Sequence, residues 1–195
     1  MKVLFVDCCI SLRDKPRTEL MADTFLEKLR SIHPDWELET VKLQKKKLFA
    51  LEEEDLLKRE HLLQNRKFED PFFDLSHQFA LADRILIAAP CWEMTFPSKL
   101  RVYIEHISVS GVTFRYTPQG SVGQCKAKKL LFLTSAGGPA VGAEEGRSYM
   151  EAMTRFWGIR EFEYVIAEMQ DVQEVNREEF LHLALRKLEL LAETF

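Results

Sequence analysis

The chain has 195 residues, 46% of them apolar and 30% charged, with a net charge of −4. This suits an ordinary soluble globular protein of one domain, with room for an insertion. A weakly acidic chain lacks a broad electrostatic grip on nucleic acid, no apolar run approaches the ~20 residues that span a bilayer, and MKVLFVDCCI is too short and acidic for a signal peptide.

The run KVLFVD (Lys2 to Asp7) is continuous, apolar and β-rich, as expected of a strand covered on both faces of a parallel sheet. A loop from Cys8 to Lys15 follows, and Pro16 stands where a helix accepts proline in its first turn. Ala22, Phe25, Leu26 and Leu29 then recur at helical spacing. The alternation from Trp36 to Leu43 predicts a second strand. Residues 44–70 are highly charged and exceed what a crossover needs; they read as an insertion with a basic loop and a helix over Leu51 to Arg66. FFDLSHQFALAD predicts a helix up to Asp83, and RILIAAP a third buried strand.

Leu100, Tyr103, Ile104 and Ile107 mark one face of the next helix. Residues 111–125 have strand-like halves around turn residues, a hairpin-like excursion. KKLLFLTSAGG (Lys128 to Gly138) reads as a fourth buried strand running into a glycine loop, Glu145 to Phe156 as a helix, and Glu161 to Met169 as a fifth strand. Leu181, Ala184, Leu185, Leu188 and Leu191 predict a long last helix. Alternating strands and helices over 1–195 imply a single α/β domain with an open, mostly parallel sheet.

Such sheets bind ligands outside the carboxyl ends of their strands, where CCISLRDKPRT, PCWEMTFP and TSAGGP all fall. The first loop brings Arg13, Lys15 and Arg17 to a helix start, either an anion site or a set of solvated cations. Trp92, Met94 and Phe96 in the second loop offer a wall for a flat aromatic ligand, or packing for a helix or subunit. Gly137 and Gly138, beside Ser135, let backbone approach a ligand or make an ordinary turn.

Other chemistries are disfavoured. There is no GxGxxG, GxxxxGK[ST] or GxSxG, and no HExxH or Cys/His cluster, so no metal is expected. The histidines at 33, 61, 77, 106 and 182 lack metal-ligand spacing, and His106 reads as a packing residue. The cysteines at 8, 9, 91 and 125 form no CxxC pair, which points to a reducing, cytoplasmic setting.

Taken in order, IAAPCWEMTFPSKLRVYIEHI, GVTFRYTPQG and TSAGG resemble the flavodoxin-like, FMN-dependent NAD(P)H oxidoreductases, in particular the NADH:quinone oxidoreductase and azoreductase group, over Lys2 to about Met169. The resemblance implies a five-stranded parallel sheet of order 2-1-3-4-5 with helices on both faces, and a homodimer with FMN near its interface. It also implies NADH or NADPH as donor and a quinone, azo compound or similar flat aromatic acceptor, reduced by two electrons in ping-pong fashion. By position, the family's phosphate-loop serine falls at Cys9, within a cationic loop that includes Arg13, and its Ser-x-Ser run on Lys15, Pro16 and Arg17. The loop under the flavin ring falls on Cys91, Trp92, Glu93 and Met94 after Pro90, and the loop at the pyrimidine end on Ser135, Ala136, Gly137 and Gly138. Hydroxyls of the phosphate loop are replaced here by cations, which recognise phosphate with another geometry. Glu93 is expected to turn from the flavin toward backbone amides or Arg115. An FMN electron carrier, or a non-catalytic relative that has lost FMN, stays open as an alternative.

Overall fold

The run KVLFVD forms β1 (Lys2–Asp7) and buries every residue from Val3 onward. It is the second strand of a parallel sheet in a computed structural model that describes residues 1–10 and 16–195. Chain order continues with α1 (Arg17–Ile32), β2 (Glu37–Lys42), α2 (Glu53–Gln64), α3 (Asp74–Leu81), β3 (Arg84–Ala88) and α4 (Ser98–Ile107). Then come β4 (Phe114–Thr117), β5 (Gly120–Gly123), β6 (Lys129–Ser135), α5 (Glu144–Phe156), β7 (Glu161–Ala167) and α6 (Arg177–Ala192).

The sheet order is β2-β1-β3-β6-β7 with every neighbour parallel, the order 2-1-3-4-5 when only its own strands are counted. The period of two in a strand sorts its side chains between two helical layers. Val3, Phe5, Leu86, Leu131 and Val165 pack on Phe25 and Leu29 of α1 and Leu188 of α6. Leu4, Val6, Ile85, Ile87 and Phe132 pack on Phe79 of α3, Tyr103 and Ile107 of α4, and Met150 of α5. Each such apolar side chain contributes about 1.5–3 kcal/mol by leaving water. Burial on both faces is why the central strands read as apolar runs, while the edge strand β2 is mostly polar and buries only Val41 fully.

The charged segment 44–70 contains α2, whose N-terminus is closed by a reciprocal capping box between Glu52 and Asp55. It buries Leu62 against Phe73, Ala80, Val109 and Val112, a small core beside the main one. His106 anchors the loop before α2 through a ring nitrogen 2.9 Å from the Phe49 carbonyl oxygen. Strands β4 and β5 pair antiparallel as the expected hairpin. The α3 helix stops at Leu81, short of Asp83, because the Asp83 amide donates to the Lys2 carbonyl and so begins the pairing of β3 with β1 inside the sheet.

Candidate active site

The carboxyl ends of β1, β3, β6 and β7 open into a cleft of about 370 Å³. That volume falls within the range of small-molecule sites. Its lining comes from four chain segments. The loop after β1 and the start of α1 give Cys9, Ile10, Pro16, Arg17 and Thr18. The loop after β3 gives Pro90, Cys91 and Trp92; the loop after β6 gives Ser135, Ala136 and Gly137; the loop after β7 gives Gln170 and Asp171. Of the residues singled out in the sequence, Glu93, Met94 and Gly138 lie in these loops but do not line the cleft. Arg13 and Lys15 lie outside the described residues.

The first segment leaves β1 through Asp7, a buried carboxylate that accepts the Cys9 amide at 2.9 Å. The Cys9 thiol donates inward to the Ala88 carbonyl at 3.7 Å. Burial, then the Asp7 charge beside it, push this thiol far above its ordinary pKa. Pro16 stands at the N-cap of α1 and brings no side-chain cap, so first-turn amides stay open toward the cleft. Thr18 and Ser135 hydroxyls meet at 2.7 Å and tie that helix start to the end of β6. Arg17 reaches across to Asp171, Nη1 to Oδ1 3.1 Å.

The second segment turns sharply. Glu93 at φ 48° and Met94 at φ 66° both adopt the left-handed region, where a non-glycine residue is uncommon. This local strain accompanies a loop that leaves Trp92 45% and Met94 58% exposed. Phe96 differs from the expectation that it walls the ligand. It is buried to 8% exposure and packs in the core against Phe132 and Tyr149, because the chain turns inward before Pro97 to start α4. Among the described residues Glu93 makes no ion pair or hydrogen bond, so the expected contact with Arg115 or backbone amides is not formed. Cys91 is half-buried; its amide donates to the Ser135 carbonyl at 2.9 Å, and burial raises its thiol pKa.

The third and fourth segments are laced together. Amides of Gln170, Asp171 and Met169 donate to the carbonyls of Ala136, Gly137 and Gly138. Gly137 leaves room for the Asp171 carboxylate, since a Cβ on it would come within 2.7 Å of Asp171 Oδ2 and displace that side chain. Among the described residues, the amides of Trp92, Glu93, Met94, Gly137 and Gly138 have no acceptor. Amide donors so placed at the mouth of the sheet suit a planar ligand with carbonyl edges and developing negative charge. The Arg17 cation and the open turn of α1 suit an anionic tail. No group of His, Cys, Asp or Glu among the described residues could hold a metal ion, and no helix among them is long and apolar enough to cross a membrane.

Gln170 and Asp171 escaped the sequence reading. The signal was available: β7 ends beside β6, so its following loop shares the carboxyl edge with the glycine loop.

Comparison with known proteins matches residues 1–191 to a family described as having the flavodoxin-like fold. The chain is 34% identical over 196 residues to an FMN-dependent NADH:quinone oxidoreductase of Clostridium perfringens, covering 100% of this chain and 99% of the relative. It is 34% identical over 200 residues to a second protein of that name from Clostridium acetobutylicum, with the same coverage. Among solved structures, an azoreductase from Bacillus anthracis superposes with a TM-score of 0.88 at 26% identity, covering 100% of this chain and 99% of that one.

Proposed function

This chain belongs to the flavodoxin-like fold family, and from that premise we propose that it is an FMN-dependent NADH oxidoreductase that reduces quinones, azo compounds or similar flat aromatic acceptors. The observation that carries the reading is a set of loop amides with no acceptor among the described residues, those of Trp92 and Gly137 in the cleft wall and those of Glu93, Met94 and Gly138 beside them in the same loops. FMN, when bound, supplies a ring that takes two electrons from NADH in one half-reaction and gives them to the acceptor in the next.

The residues of the chain do the rest. Arg17 and the open first turn of α1 hold the phosphate, in place of serine hydroxyls. The backbone N–H groups of Trp92 and Gly137, which line the cleft, serve the ring edge and stabilise negative charge that builds up there. Trp92, half-exposed beside the cleft, gives a flat partner and narrows the access of water. No side chain is assigned a general-acid role. The chain acts as a homodimer, a reading supported by the exposed apolar side chains Trp92, Met94 and Tyr116 on loops near the cleft and on the hairpin. The cysteines, all free, support a reducing cytoplasmic setting.

The test is the visible spectrum of the purified protein with FMN added, followed by NADH and then a quinone. Flavin absorption that is retained, bleaches with NADH and returns with quinone supports the reading. Bound FMN without NADH oxidation makes the protein an electron carrier instead. Failure to retain FMN overturns the assignment in favour of a non-catalytic relative.

A further inference from the structure

Arg17 opens α1 and Asp171 sits in the loop after β7, 154 positions away, yet their side chains meet at 3.1 Å and both line the cleft. The backbone of Asp171 is held against the glycine loop. Its own amide is bonded to the Gly137 carbonyl at 2.9 Å, and its Oδ2 occupies the space beside Gly137 that any Cβ there would enter. The carboxylate is thus built onto the glycine loop and presented to α1.

The exposures say what the pair is for. Asp171 is 57% exposed and Arg17 24%. An ion pair whose carboxylate is so exposed adds little stability. What remains is orientation. Arg17 is a long side chain with a planar fork of donors, and one contact to Asp171 leaves its other N–H groups for a ligand.

We propose that Asp171 is a positioning residue that holds the Arg17 guanidinium over the cleft, so that the site retains flavin carrying a phosphate in preference to flavin without one. The inference rests on the FMN reading above and adds to it a residue that sets which flavin is kept. An unphosphorylated flavin has no group for that cation to meet, so the effect of Asp171 is confined to the phosphorylated form.

The experiment measures the dissociation constants of FMN and riboflavin, by quenching of flavin fluorescence, for the native chain, Asp171→Asn, Arg17→Gln and the double variant. Asp171→Asn is expected to weaken FMN about fivefold, the scale of freeing one long side chain, with riboflavin unchanged. The double variant is expected to lose less than the product of the single losses, because the two residues act through one another. FMN binding that is unchanged or tighter in Asp171→Asn overturns the proposal, since the carboxylate then merely competes for Arg17. Equal weakening of both flavins overturns it too, as damage to the loop. A native chain that holds riboflavin as tightly as FMN overturns this inference and leaves the flavin reading standing; one that holds neither removes both.

Discussion

Trp92 shows how far a single side chain can serve binding without serving stability. Being half-exposed, it has little core to lose, and Trp92→Ala is expected to change unfolding free energy by no more than about 0.5 kcal/mol. The same change is expected to weaken FMN about tenfold, read by fluorescence titration, because a stacking partner worth about 1 kcal/mol or more disappears. The thiols separate in the same way. Burial pushes Cys8 and Cys125 up to about 12 and Cys9 further, whereas Cys91 is only half-buried. Iodoacetamide on the folded chain should therefore label Cys91 alone, and slowly, with FMN slowing it further; peptide mass spectrometry that finds Cys9 modified would contradict this. Cys91, Trp92 and Ser135 could be placed at the cleft from sequence because each ends or follows a strand that announces itself by its apolar run. Phe96 could not, since no period governs a loop and nothing local says which way its ring turns. Asp171 could not because its role lies in a contact made across the whole chain.

At the scale of elements, the hairpin of β4 and β5 docks where the chain leaves α5. Cys125 N–H donates to the Trp157 carbonyl at 3.1 Å, and the Phe114 and Phe156 rings lie 4.4 Å apart. The approach of backbone to backbone is so close that a Cβ on Gly123 would lie 2.0 Å from the Gly158 nitrogen. Gly123→Ala must push the hairpin off α5, at a cost of about 3 kcal/mol and a fall in Tm of about 6–12 °C. Gly142→Ala is the control, since nothing lies within 4 Å of its added carbon, and its melt should match the native chain's. Helices α1, α4 and α6 were legible from their apolar spacing, and β1, β3 and β6 from runs buried on both faces. The hairpin was legible only as strand-like halves around a turn. The contact that fixes its place is between glycines, which carry no hydrophobic signal.

The molecule as a whole has ionisable groups that bind its stability to pH from two sides. Hydrogen bonds from Lys126 and from the Lys2 amide hold the Asp83 carboxyl below its ordinary range. Its contribution is present above the unfolded carboxylate pKa of about 4 and is lost as the pH falls through the lower, folded value. In the other direction, burial raises the thiols of Cys8 and Cys125 from 9.0 to about 12, and raises the phenols of Tyr103 and Tyr164 as well. The unfolded chain releases those protons first, so stability is unaffected below pH 9 and declines as the pH climbs toward 12. Thermal melts across pH should show a plateau with a fall at each end, and a Tm that keeps rising from pH 9 to 11 would contradict the buried thiols and phenols. Alternation of strands and helices made the parallel sheet legible at this scale. Its strand order came only from the resemblance, because alternation alone does not say which strand lies beside which.

The amides of Trp92, Glu93, Met94, Gly137 and Gly138, without an acceptor among the described residues, also carry a clock. In deuterated water such N–H groups exchange as fast as solvent reaches them, while the amides of β6 just before them are locked in the sheet ladder. Two peptides, one from each loop, would then record occupancy directly: rapid isotope uptake in the empty protein, and slow uptake once a ligand closes over those donors.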